Sequence, residues 1–431
     1  MHQFEYRRGT LFCEDADLGR VAETHGTPCY VYSANTIRDH YRRLDAALEA
    51  LDHTICYAVK ANSSLAILNL LVREGAGFDI VSTGELHRVL KAGGDAGRCT
   101  FAGVGKTDDE IRYALAKGIY CFNVESESEL EAISRVARAA RKKAPVALRV
   151  NPDVEAETHK YISTGKSENK FGIGWDRIPE VYKLAEGLPG IRICGVQMHI
   201  ESQILKPDPF ARAVEKMAPL VADLKTNHAI EFFSVGGGIG IVYEGSLSSG
   251  GPGWWEQVPE GVLTLDRYAD AIAPPLKSLG LKILFEPGRF MVGNAGVLLC
   301  RVVHLKETGS KSFAIVDAGM NDLIRPALYE GRHEIVPVIE PDSDTTRPVD
   351  VVGPICESGD FLAQGCPLPP VSRGDYLAVM SAGAYGFTMA SNYNSRPLVP
   401  ELLVDGAEVF LARKRQTLAD LIRGERIPET R

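Results

Sequence analysis

The sequence predicts an α/β plus all-β protein: a (β/α)8 barrel joined to a second, antiparallel β-barrel or sandwich domain. Two observations carry this. From about residue 50 to Gly288, eight short apolar, β-branched runs alternate with longer stretches whose apolar residues recur three and four apart. After Gly288, strand-like runs follow one another with turns and little helix. Strands that alternate with helices pair in parallel through right-handed crossovers, and eight such units over roughly 250 residues close into a barrel. Short strands joined by turns pair antiparallel instead.

Taken in order, the N-terminal runs TLFCED and PCYVYS read as strands of the β domain. That assigns residues 1–33 and 295–431 to the β domain and residues 34–294 to the barrel. The barrel strands are ICYAVKAN, GFDIVS, TFAGVGK, YCFNVES, PVALRVNP, CGVQMHI, EFFSVGGG and KILFEPG. Helices SLAILNLLVREG, GELHRVLKAGG, DDEIRYALAKGI and ESELEAISRVARAARKK separate the first five. The segment GSLSSGGPGWWEQVPEG, with Trp254 and Trp255, interrupts the last units and reads as a long loop near the mouth, a lid. In the β domain, GVLLCRVVHLKE, SFAIVDAG, PVDVVG, DYLAVMSAG and AEVFLARKR are strands, and PDSDTT is a loop.

Composition narrows the class. Hydrophobic residues at 45% and charged residues at 24% are the balance of a globular protein with a substantial core. A net charge of −8 argues against nucleic acid and anionic membrane as partners. The nine cysteines are an odd number without a C-x-x-C pair, which points away from a disulfide framework or a zinc site and toward buried small hydrophobes. Neither a leader-like apolar run nor a stretch near ~20 apolar residues is present, so the expected compartment is the cytoplasm.

In such barrels the chemistry sits at the C-terminal ends of the strands. Lys60 ends the first strand, Asp79 and Ser82 lie at the second, Arg149 ends the fifth and His199 the sixth. Gly236, Gly237 and Gly238 end the seventh, and Glu286, Pro287, Gly288 and Arg289 the eighth. A lone lysine at a strand end usually only reaches for solvent. In the apolar setting of Tyr57-Ala58-Val59, however, its ammonium loses solvation, and the amine so freed is the nucleophile that forms an imine with a carbonyl cofactor. The glycines make a tight turn or, with the next helix adding its positive end, a phosphate-binding nest. Glu286 is either a helix-capping carboxylate or the partner of a cofactor ring nitrogen. His199 is either a core histidine or a flat ring stacked on the cofactor face. Convergence on one rim favours the functional reading of each.

These residues sit in motifs with a known counterpart. YAVKAN, GAGFDIVSTGEL, HIESQ, GGGIG, EPGR, GMNDLIRPALY, CESGD, GAYGF and SNYNSRP resemble, in order, those of the diaminopimelate decarboxylase family. That family belongs to the barrel-type, alanine-racemase-like class of pyridoxal-phosphate enzymes, and the resemblance runs from about residue 28 to 400. It implies pyridoxal 5'-phosphate held as a Schiff base on Lys60, with Asp79, Arg149, His199 and Glu286 around it. Gly236 to Gly238 and the backbone of Glu286, Pro287, Gly288 and Arg289 would hold the phosphate, with Ser202 and Tyr385 nearby. Arg289, Arg325 and Tyr329, with Tyr385, would grip the remote carboxylate of the substrate, and Glu357 its remote amino group. Cys356 would protonate the carbanion from the second subunit of a homodimer. The implied reaction converts meso-2,6-diaminopimelate to L-lysine and carbon dioxide, a step of lysine biosynthesis.

Two positions depart from the family pattern. Glu201 stands where HIGSQ has a small residue, and Ser234-Val235 stands where an acidic residue often precedes the glycines. Alternatives are a related decarboxylase of ornithine, arginine or carboxynorspermidine, a racemase of the same class, and a non-catalytic cofactor-binding regulator. The first three substrates would make poor use of Arg289, Arg325 and Glu357. A racemase usually meets the ring nitrogen with arginine, and a regulator would have no purpose for Cys356 and Tyr385.

Overall fold

The computed structural model describes residues 2–154, 170–250, 262–342 and 345–429. The chain divides into two compact units, Ile37–Ile241 with Trp255–Met291, and Met1–Thr36 with Val242–Trp254 and Val292–Arg431.

The first unit is a closed barrel of eight strands: His53–Ala58, Gly77–Ile80, Cys99–Phe101, Cys121–Val124, Ala144–Val150, Ile191–Met198, Phe232–Ser234 and Lys282–Phe285. All neighbours pair in parallel, and the eighth closes on the first with Ile283 opposite His53. The strands are buried from end to end in their C-terminal halves, as a sheet covered on both faces requires. Helices start where the sequence supplies a cap. Ser126 accepts from the Glu129 N–H, and Thr107 forms a reciprocal capping box with Glu110. One end of the barrel is plugged by Cys121, Ala147, Cys194, Phe232 and Leu284. Gly195 makes that plug possible, since a Cβ there would lie 2.5 Å from the Phe232 ring.

In the second unit, Cys29–Ser33 is a central strand rather than a flank. It lies between Gly296–Glu307, antiparallel, and Glu401–Asp405, parallel. The sheet continues through Ser312–Val316, Arg347–Val352 and Phe361–Leu368 on one side and Glu408–Arg413 on the other. Most pairings are antiparallel, as expected; Ser312–Val316 with Arg347–Val352 is a second parallel exception. TLFCED does not join this sheet: Thr10–Cys13 pairs with Phe4–Arg7 and Ala16–Asp17 in a small sheet of three. Both feed one core containing Leu11, Leu18, Val31, Val297, Leu299, Val338 and Leu402.

The first half of the segment GSLSSGGPGWWEQVPEG folds with the β unit. Residues 242–250 belong to the β unit, where Leu247 packs on that core and the Ser246 carbonyl bonds the His2 ring at 2.7 Å. Trp254 and Trp255 lie outside the described residues. Eight of the nine cysteines are buried and Cys356 is exposed, all with free thiols. Among the described residues, no helix is long and apolar enough to cross a membrane.

Candidate active site

Lys60 does not end the first strand. The strand stops at Ala58, and Lys60 lies in the single 3-10 turn Val59–Ala61 that follows. Its surroundings are not the apolar ones expected either. Its side chain is 41% exposed, and its Nζ donates to Oδ2 of the fully buried Asp79 at 3.0 Å. Ser82 has a structural task, capping the helix Thr83–Lys91 through the Glu85 N–H.

At the seventh strand end, Gly236 has φ +73°, and a Cβ on it would lie 2.5 Å from the Met198 carbonyl oxygen. A Cβ on Gly237 would lie 2.2 Å from the Glu286 carbonyl oxygen, so the turn packs backbone directly on the eighth strand's exit. The Glu286 N–H donates to the Gly236 carbonyl, and the Ala58 N–H to the Pro287 carbonyl, tying the exits of strands seven, eight and one together. No helix starts after these glycines; the next helical turn among the described residues is Ser248–Gly250, so the expected helix end is not there. Arg289 is buried and its Nη2 donates to Ser202 Oγ at 3.3 Å. Glu201, beside Ser202, is buried.

The Gly237 N–H donates to His199 Nδ1 at 3.1 Å, so that nitrogen carries no proton. Burial first, then Arg149 and Lys60, hold the imidazole well below its ordinary pKa, and the ring is neutral.

Glu286 is buried, and three side chains point donors at it. Ser234 Oγ lies 2.7 Å and Asn123 Nδ2 3.4 Å from Oε1, and Gln197 Nε2 lies 2.9 Å from Oε2. Burial is the largest influence on this carboxyl and Asp79 adds to it; together they raise its pKa to about 7 against the opposing pull of Ser234, Lys60 and Gln197.

Asn123 and Gln197 belong to a larger pattern. Asp79, Thr100, Asn123, Arg149 and Gln197 are each the penultimate residue of strands two to six. All five are buried, and each keeps one polar atom without a hydrogen-bond partner among the described residues: Asp79 Oδ1, Thr100 Oγ1, Asn123 Oδ1, Arg149 Nη2 and Gln197 Oε1. Buried polar atoms are nearly always satisfied, so a belt of five marks the place of a polar ligand. Pyridoxal phosphate fits it: an amine at Lys60, a buried carboxylate for a ring nitrogen and hydrogen-bonding groups around the ring. Thr100, Asn123 and Gln197 are additional to the candidates that the sequence offers; Asn123 and Gln197 each interrupt an apolar run, whereas Thr100 opens its own.

Behind the belt runs a ladder of buried charges. Lys106 Nζ donates to the Gly103 carbonyl, the Asn123 carbonyl and Glu129 Oε1 at 2.7, 2.8 and 2.5 Å. Glu129 accepts the Glu125 N–H, and Glu125 accepts Arg149 Nη1 at 3.0 Å. Two cations and two carboxylates balance, and the Arg149 guanidinium stacks 4.9 Å from the Phe171 ring centre.

The other candidates lie in the β unit. Arg325 opens the helix Arg325–Tyr329, is buried, donates to His333 Nε2 at 2.6 Å and lies 4.3 Å over the Tyr243 ring. His333 therefore donates from Nδ1 to the Met380 carbonyl at 2.8 Å. Tyr329 is half-buried on the last turn of the same helix. Cys356 and Glu357 are exposed; the Cys356 N–H donates to Asn394 Oδ1 at 3.0 Å, and Tyr393 Oη donates to Glu357. Tyr385 holds a left-handed backbone, φ +56°. Asp360 pins the loop bearing Cys356 by accepting the N–H groups of Met320 and Ile355, each at 2.6 Å.

The comparisons with known proteins bear on this arrangement. Residues 34–293 match the family model described as "Pyridoxal-dependent decarboxylase, pyridoxal binding domain". A diaminopimelate decarboxylase of Pseudomonas aeruginosa is 50% identical over 426 residues, covering 99% of both chains, and one of Vibrio cholerae is 47% identical over 98% of both. Among solved structures, diaminopimelate decarboxylase from Helicobacter pylori complexed with L-lysine matches with TM-score 0.87 and 40% identity, over 94% of this chain and 98% of that one. The enzyme from M. jannaschii in co-complex with L-lysine gives TM-score 0.90 at 35% identity, over 99% and 98%. Similarity this high across both units, barrel and β-sheet alike, places the chain in the diaminopimelate decarboxylase family of pyridoxal-dependent decarboxylases.

Proposed function

We propose that this chain removes one carboxylate of meso-2,6-diaminopimelate to give L-lysine and carbon dioxide, using pyridoxal phosphate at the barrel rim. The observation that carries the reading is Glu286, a buried carboxylate met by three donors inside a belt of unsatisfied polar groups. Full-length similarity to diaminopimelate decarboxylases supports the choice of substrate.

When bound, the cofactor supplies an electron sink for the pair left on carbon as carbon dioxide departs. The chain's own residues do the rest. Lys60 offers the amine that joins the cofactor's carbonyl, aligned by Asp79. Glu286, as the carboxylate, would hold a proton on the ring nitrogen. The N–H groups of Gly236 and Gly237 are committed to Ser234 and His199, which leaves the Gly238 end of the turn, with the Glu286 to Arg289 backbone, Ser202 and Tyr385, for the phosphate. Neutral His199 presents a flat uncharged ring, and Arg149 a cationic edge. Arg289, Arg325, Tyr329 and Tyr385 would take the remote carboxylate, because a planar guanidinium matches a carboxylate two to two. Glu357 would take the remote ammonium.

The reading calls for a homodimer in which Cys356 of the partner subunit returns a proton to the reacting carbon; Cys356 is the one exposed cysteine among the nine. It also assigns the protein to the cytoplasm, where a step of amino-acid biosynthesis would run. The test is carbon dioxide release from meso-diaminopimelate measured beside ornithine and arginine. Release from diaminopimelate alone is expected. Equal release from ornithine or arginine would reject the substrate assignment while leaving the cofactor chemistry in place.

A further inference from the structure

Ser234 lies two residues before the glycine turn, and its surroundings give its hydroxyl a purpose. The side chain is fully buried at the end of the seventh strand. Its hydroxyl donates to Glu286 Oε1 at 2.7 Å, and the same oxygen accepts the Gly236 N–H at 3.3 Å. One hydroxyl thus joins the glycine turn, where an anion would sit, to the carboxylate that would face the ring nitrogen. A carboxylate at position 234 could not do this at neutral pH. It has no proton to donate, and it would stand against Glu286 as a second buried negative charge.

We propose that Ser234 is a positioning residue that favours the ionised form of Glu286 and keeps it in register with the glycine turn. This rests on the reading of Glu286 as the partner of the cofactor ring. Ionised carboxylate gains about twice as much from a hydroxyl donor as a neutral carboxyl does, so the bond favours loss of the Glu286 proton. The other charged groups facing Glu286 are Asp79, which opposes ionisation, and Lys60, which favours it; the Cys56 thiol nearby stays neutral, its pKa raised first by burial and then by Glu286. Asn123 and Gln197 complete the cage through their amide N–H groups. Ser234 is the one hydroxyl of the cage: it gives its proton to Glu286 while its oxygen accepts the Gly236 N–H.

The experiment is an infrared titration of the Glu286 carboxyl in the full chain freed of cofactor, assigned by its loss in Glu286→Gln. It is run for the parent, Ser234→Ala and Ser234→Thr. Ser234→Ala is expected to move the carboxyl midpoint upward by about half a unit or more, while Ser234→Thr, which keeps the hydroxyl, stays near the parent. Bound-cofactor absorbance, followed against pH in the reloaded chains, should shift its titration the same way in Ser234→Ala. An unmoved midpoint in Ser234→Ala, or an equal displacement in both variants, overturns the proposal. The infrared arm needs no substrate and no cofactor, so an enzyme acting on another amino acid would sink the functional reading and leave this result intact.

Discussion

At the scale of single residues, the pairing of Lys60 with Asp79 and the caging of Glu286 define where chemistry is possible. Lys60→Ala is expected to abolish the visible absorbance of covalently bound cofactor, checked by spectroscopy after dialysis; a retained band would remove Lys60 from its place. Arg325→Ala should raise KM by about 10- to 100-fold with cofactor retained, since charge-assisted hydrogen bonds are worth about 1.5–3 kcal/mol. Steady-state kinetics beside cofactor absorbance would check it, and cofactor loss with unchanged KM would contradict the assignment. Lys60, His199 and Glu286 stand out in the sequence because each sits at the C-terminal end of an apolar run, in the motifs YAVKAN, HIESQ and EPGR. The actual partner of Lys60 was not. That it faces a buried carboxylate depends on the register of the first two strands, with Ala58 opposite Asp79, and register is a property of the closed sheet.

At the scale of elements, the eight alternations were readable because periodicities of two and 3.6 differ sharply, and each strand overlaps its apolar run, although the first, third, fifth and sixth begin one to three residues earlier. What escaped was the belt at the penultimate strand positions. A single Thr, Asn or Gln in a short apolar run looks ordinary until five strands are brought level. The glycine turn shows the opposite case, a motif whose consecutive glycines announced close packing. Gly237→Ala would drive a methyl into the Glu286 carbonyl, a rigid backbone neighbour. It should lower cofactor affinity at least tenfold and destabilise the barrel by about 1–3 kcal/mol, measured by cofactor titration and denaturant unfolding. The charge ladder gives a second expectation. Lys106→Met leaves Glu129 buried without its cation and should cost about 3–5 kcal/mol in the same unfolding experiment. A cost below about 1 kcal/mol would mean that the ladder is not a balanced unit.

At the scale of the whole molecule, burial makes stability depend on pH through several carboxyls, Glu85 and Glu286, both raised to about 7, and Asp322, raised to about 6. Glu286 ionises near 4.5 in the unfolded chain but at about 7 in the fold. Between these values the folded chain keeps a proton that the unfolded chain has released, so stability falls as pH rises through that window. Thermal unfolding of cofactor-free protein at about pH 5 and pH 7 should show this decline, and Glu286→Gln should lessen it, leaving the part that Glu85 and Asp322 contribute. The division into units was only partly legible. A rhythm of strands locates a barrel, but it does not reveal that residues 242–250, inserted between the seventh and eighth strands, fold with the β-sheet. The central place of Cys29–Ser33 in that sheet has a consequence for how the chain is born. One neighbour, Glu401–Asp405, leaves the ribosome more than 360 residues later, so this wholly buried strand must wait through nearly the entire synthesis with an open hydrogen-bonding edge. Nascent chains arrested before residue 401 would carry that edge uncovered, and they are the species a chaperone would have to shield.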